Sequence, residues 1–254
     1  MSRLLKRSSV GAGAPIARMI QADPVTGVGM TSDGRRTVLK VGLALIVLVG
    51  MMLGAGWLVT RAFVHDWPFT AEDGVDRSLA GDRTPLLNHI SAFFSTMAST
   101  PYAIGLTVLA AILARLVFHR WREALFVAGV VAVEAVVFLV TTLVIERPRP
   151  LVSHLDVAPP TSSFPSGHTA AALALYGAII LVARLHGVRR PVWLLVLIPF
   201  AVGASRLYRG MHHPSDVVAG LLLAVACLAL MRRAVLTRTT PARTDSRLAA
   251  SRSR

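Results

Sequence analysis

The chain has 254 residues, 54% of them hydrophobic and only 16% charged, with a formal net charge of +14. That balance excludes an ordinary soluble domain and reads as an integral membrane protein. The net charge does not imply nucleic acid, because the basic residues are dispersed over helix ends instead of gathered on one face.

Residues 1–37, rich in Gly, Ser, Thr and Arg, are expected to form a disordered basic tail with some attraction to anionic lipid. Val41–Thr60 is twenty residues without a charge, about the length that crosses a hydrocarbon core of roughly 30 Å. It is too long for the apolar part of a cleaved signal and reads as a retained first span. The acidic segment from Phe69 to Thr100 is expected to be an outer loop holding a short helix. Pro101–Phe118, broken only by Arg115, and Ala124–Ile145, broken only by Glu134, are the second and third spans. His168–Ala183, Pro191–Ser205 and Val217–Met231 are shorter, and each is flanked by polar residues suited to a protein-lined pocket. The expected fold is all-α, a six-span bundle over residues 38–234, followed by a second disordered basic tail, 235–254. Cys227 is the chain's one cysteine, so no internal disulfide forms.

Basic residues fall on one set of connections: Arg35, Arg36 and Lys40, then Arg120 and Arg122, then Arg189 and Arg190, then the tail from Arg232. The alternate connections carry Glu72, Asp73, Asp76, Asp82, Asp156 and Asp216. The positive-inside rule then puts both termini in the cytoplasm and the alternate loops outside, in a plasma (inner) membrane. Glu134 reads as a buried packing group, and His213 as a neighbour facing away from the chemistry.

Two of the outer loops read "ERPRPLVSHLDVAPPTSSFPSGH" and "SRLYRGMHHPSD". They bring Arg147, Arg149, His168, Arg206, Arg209, His212, His213 and Asp216 to one face of the bundle. Guanidinium forks bind phosphate oxygens through paired hydrogen bonds, and a histidine can attack phosphorus or protonate a leaving oxygen. Pro214 suits the first position of a helix, which puts Asp216 in its first turn, within reach of His212 to fix its tautomer. The helix that begins after "PSGH" turns its free N–H groups outward, and Gly167 allows a ligand close to the backbone.

The ordered set "RPRP", "PSGH" and "SRLYRGMHHPSD" resembles the three-part signature of the type 2 phosphatidic acid phosphatase family, whose site is shared with vanadium haloperoxidases. That resemblance implies a membrane lipid phosphatase with His212 as nucleophile, Asp216 orienting it, and His168 as general acid and base. It further implies that Arg149 and Arg206 clamp the phosphoryl group, with Ser166 and the Gly167 amide completing the cradle, and that no metal or other cofactor is used. Polyprenyl diphosphate ranks first as substrate by this analogy, with phosphatidate or phosphatidylglycerophosphate as the alternative. A haloperoxidase is disfavoured by the six spans. A non-catalytic lipid-phosphate binding or transport protein is disfavoured because binding alone has no use for an oriented histidine pair. One position departs from the pattern: Thr142 stands where the family has a lysine, and Arg147 is the nearby cation that could replace it.

Overall fold

The computed structural model describes residues 32–188 and 191–236. Cα packing separates residues 1–38 from residues 39–254. Most of both expected tails lies outside the described residues, and their inner ends, 32–37 and 235–236, are helical.

The described residues form helices: α1 Ser32–Trp57, α2 Phe69–Gly81, α3 Pro85–Met97, α4 Thr100–Phe118, α5 Trp121–Val144, α6 Gly167–Leu185, α7 Leu197–Tyr208 and α8 Pro214–Met231. A π-helical turn, Leu58–Ala62, prolongs α1, a second, Arg232–Leu236, prolongs α8, and a 3-10 turn, Val192–Val196, precedes α7. Leu39–Ala62, α4, α5, α6 and Pro214–Leu236 are each long and apolar enough to cross a membrane, and Val192–Tyr208 is a shorter apolar helix. The fifth span of the sequence reading, Pro191–Ser205, corresponds to this short helix.

Burial sorts the helices. Half of the most apolar stretch of α6 is buried, and the same of α8, against 11% for α4 and 17% for α1. Leu43, Ile46 and Met51 of α1 and Ile104, Val108 and Leu116 of α4 are exposed, as lipid-facing side chains must be. The core lies where α6 packs between α5 and α8, around Phe126, Val130, Val137, Ala170, Ala174, Ala178, Leu223, Ala224 and Cys227. Small residues let these backbones approach closely, which drives packing where water cannot. At Gly220 of α8 a Cβ would lie 2.5 Å from the Ser166 carbonyl oxygen, so glycine is what seats α8 against the start of α6.

The helices alternate in direction, and the α5–α6 and α7–α8 connections therefore meet at one end. Backbone bonds tie them together: Ser163 N–H to the Arg147 carbonyl (3.0 Å), Leu155 N–H to that of Arg209 (3.1 Å), and Ser166 N–H to that of Asp216 (3.0 Å). At the other end Arg122 donates to the carbonyls of Val235 and Leu236, and His186 lies 3.2 Å from Glu123. The expected single short helix in the Phe69–Thr100 segment is instead a pair, α2 and α3, joined by a turn at Asp82–Thr84. Pro85 and the Thr84 hydroxyl, which accepts from Leu87 N–H, start the second helix.

Candidate active site

The site is built on the first turn of α8. Pro214 occupies the first helical position and holds His213 extended before it. Asp216, fully buried, then reaches back, and its Oδ2 accepts the His213 N–H at 2.8 Å. Its Oδ1 is bonded to Arg147, while its backbone carbonyl holds Ser166. One carboxylate thus joins the α7–α8 connection to the α5–α6 connection.

Neither oxygen is bonded to His212. Asp216 Oδ2 stands 3.9 Å from His212 Nδ1, beyond a hydrogen bond, and the expected Asp216–His212 bond is absent. The Ser163 carbonyl takes its place, 2.7 Å from Nδ1. A carbonyl only accepts, so Nδ1 carries the proton and, in the neutral ring, Nε2 keeps its lone pair. Burial pushes the His212 pKa well below 6.5, the nearby Arg206 and Arg149 cations push it further, the Ser163 carbonyl opposes them, and His168 adds a smaller lowering. His212 is therefore neutral at pH 7 and close to both arginines and His168.

Arg149 donates from Nη1 to the Met211 carbonyl at 2.6 Å, and Arg206 from Nη1 to Ser95 Oγ and Asp156 Oδ2, both at 2.6 Å. Each keeps a buried Nε–H without a hydrogen-bond partner. Burial lowers the Arg149 pKa, opposed by the charge of Asp216. His168 is half-buried in the first turn of α6, with no hydrogen bond to another described residue. The Ser166 hydroxyl is fully buried and bonded to Thr169 Oγ1 at 2.9 Å. Gly167 answers a packing need: a Cβ there would stand 2.7 Å from the Phe138 ring.

Arg147 is bonded differently from Arg149 and Arg206. Its Nη2 donates to Glu72 Oε2 at 2.7 Å and its Nη1 to Ser215 Oγ at 2.7 Å and to Asp216. Thr142 is buried, its hydroxyl 3.5 Å from the Ser162 carbonyl, at the outer limit of a hydrogen bond.

Sequence reasoning missed the contribution of α2 and α3. Glu72 accepts from Ser215 N–H at 2.6 Å, and Asp76 Oδ2 accepts from His213 Nδ1–H at 2.8 Å. Burial lowers the His213 pKa most strongly of any one cause, but the Asp76 hydrogen bond together with the Asp216 and Asp76 charges prevails over it and over the Arg147 cation, and the net direction is up. Asn88 and Ser91 accept from Arg209. Asp156 bridges Arg209 and Arg206 at 2.6 Å each. Burial raises its pKa, yet hydrogen bonds and charges from the two arginines prevail and hold it at about 2. These partners are 50 or more residues apart in the chain, and no local motif marks them. Asp73, Asp76 and His213 put potential metal-ligand atoms within 4.8 Å of one another. The Asp76–His213 hydrogen bond already accounts for the two buried members.

A family model described as the PAP2 superfamily matches residues 123–240. Undecaprenyl-diphosphatase BcrC of Bacillus subtilis (strain 168) is 33% identical over 147 residues, 55% of this chain and 70% of that protein. Decaprenylphosphoryl-5-phosphoribose phosphatase of Mycobacterium tuberculosis is 35% identical over 127 residues, 48% of this chain and 67% of the relative. The crystal structure of a transmembrane PAP2-type phosphatidylglycerolphosphate phosphatase from Bacillus subtilis matches with a TM-score of 0.62 at 22% identity. That match covers 77% of this chain and 94% of the other, and shows a shared fold. With the three-part motif gathered at one end of the bundle and a relative matched over 70% of its length, the chain belongs to the PAP2 superfamily.

Proposed function

We propose that this protein is a membrane phosphatase that hydrolyses a lipid phosphate or diphosphate through a phosphohistidine intermediate on His212. The observation that carries the reading is the bare Nε2 of a neutral, buried His212 close to two arginines whose Nε–H donors lack partners. Buried unpaired donors are costly unless an anion completes them, and phosphoryl oxygens do so with charge-assisted bonds.

The Nε2 lone pair forms a bond to phosphorus as the bond from phosphorus to the lipid-bearing oxygen breaks, and His168 passes a ring proton to that oxygen. A water molecule then yields a proton to the same His168 nitrogen and attacks phosphorus. The phosphorus–nitrogen bond breaks and inorganic phosphate leaves. Arg149 and Arg206 spread the charge on the transferring group, and the first-turn amides of α6, Gly167 among them, add donors beside Ser166. Asp216 holds His212 in place through the His213 amide instead of touching the ring. The steps use no metal.

The catalytic loops adjoin membrane spans, which puts the reacting phosphate at headgroup depth. Charge asymmetry supports an outer-face site with both termini cytoplasmic. Polyprenyl diphosphate is the favoured substrate, supported by two relatives whose names carry polyprenyl-linked phosphates. Purified protein should release phosphate from undecaprenyl diphosphate faster than from phosphatidate or phosphatidylglycerophosphate, in excess chelator, and vanadate should inhibit. Absence of release from every lipid phosphate, or a strict need for a divalent ion, overturns the proposal.

A further inference from the structure

Glu72 makes three hydrogen bonds, all to the catalytic end of the bundle, although it lies on an α2 helix far from the motifs in sequence. Oε1 accepts the Ser215 N–H at 2.6 Å, and Oε2 accepts from Arg147 Nη2 at 2.7 Å and Ser215 Oγ at 3.1 Å. The Glu72 side chain is 8% exposed and that of Arg147 9%. Arg147 then lies between two carboxylates, Glu72 on one side and fully buried Asp216 on the other. Asp216 in turn fixes the His213 N–H and, through its carbonyl, Ser166.

Resting on the phosphohistidine reading, we infer that Glu72 and Arg147 are positioning residues acting through Asp216 on the His212 loop, and that Arg147 is not the replacement for the lysine absent at Thr142. A phosphate ligand needs a guanidinium edge open to the anion. Both terminal nitrogens of Arg147 are spent on framework acceptors, as are those of Arg209. Arg149, Arg206 and Arg209 each keep an unpaired, buried Nε–H, and only Arg149 and Arg206 also keep a terminal nitrogen free of framework bonds. Arg147 thus adds no cation to the Arg149–Arg206 clamp.

Arg147 as frame and Arg147 as clamp predict opposite outcomes when its partner is removed. Taking away Arg147 alone leaves two buried carboxylates facing each other, and removing Glu72 as well relieves that repulsion. For the frame, Arg147→Gln should lower kcat severely, and Glu72→Gln/Arg147→Gln should regain roughly tenfold or more over Arg147→Gln. For a clamp, the double variant stays as inactive as Arg147→Gln. Glu72→Gln alone provides a measurement should Arg147→Gln fail to fold. The frame predicts a lower kcat with KM within about threefold of wild type, since alignment for the transition state is disturbed and substrate binding is not. A tighter KM, from an Arg147 released onto substrate, overturns the inference, as does wild-type kcat in Glu72→Gln. His212→Ala in the same assay separates the two levels: activity surviving there defeats the phosphohistidine reading itself, whereas an inactive His212→Ala beside an unrescued double variant defeats only this inference.

Discussion

The tautomer of His212 is set by a main-chain carbonyl. Ser163 accepts from Nδ1, so Nε2 keeps its lone pair whether or not a carboxylate touches the ring. Because burial and the two arginines keep His212 neutral below pH 6.5, kcat/KM should show no acid-side loss from the nucleophile at that pH. An acid limb at or above 6.5 that is assigned to His212 by ring NMR contradicts this. The same shift costs stability in acid: below 6.5 the unfolded histidine binds a proton that the folded one refuses, and unfolding becomes easier as pH falls. Asp156 acts in the same sense, at lower pH. Held at about 2 against an ordinary 3.8, it stabilises the fold above 3.8 and loses that contribution as pH falls towards 2. Asp156→Asn should therefore impair Arg206 placement equally across neutral pH, seen as a kcat loss of about tenfold that does not vary with pH. A loss confined to one limb of the profile would show that Asp156 titrates in the working range.

At the scale of elements, the paired extramembrane helices α2 and α3 brace the catalytic end. The motifs "PSGH" and "SRLYRGMHHPSD" were legible because their residues lie within one short stretch each, and Pro214 and Asp216 mark the start of α8 by local chemistry. Glu72, Asp76 and Ser95 were not legible as partners, since a lone Glu or Ser in an acidic loop gives no sign of the arginine it meets more than 70 residues later. The contacts of Asp216 differ from the expected ones for a related reason: spacing put it within reach of His212 but could not show that its hydrogen bonds would go to Arg147 and the His213 amide. Contact between α6 and α8 gives a further test. Gly220→Ala would push a methyl group to 2.5 Å from the Ser166 carbonyl, so the two helix starts must separate. Turnover should fall about tenfold to a hundredfold with the protein still folded in detergent, because misplacement of catalytic groups by less than 1 Å is expensive. Unchanged kcat in Gly220→Ala would show that the seat of α8 on α6 is not what aligns His168 and His212.

The whole molecule combines lipid-facing outer helices with a polar end. Membrane spans were readable from uncharged runs alone, and the all-helical fold follows from them, because a backbone in hydrocarbon must satisfy its own hydrogen bonds. The fifth, Val192–Tyr208, is short, and its far end becomes the arginine-bearing wall of the site at Arg206. A reporter fused after Arg254 should be cytoplasmic and one inserted in the Asp82–Thr84 turn external, and the reverse result would put the chemistry on the inner face. The central claim, covalent transfer to His212, is tested most directly by quenching the purified protein during turnover of a lipid substrate labelled in its terminal phosphate. The account predicts protein-bound label that is stable in alkali, labile in acid, located on His212 and absent from His212→Ala. Turnover without any such label, or label that survives in His212→Ala, would contradict it.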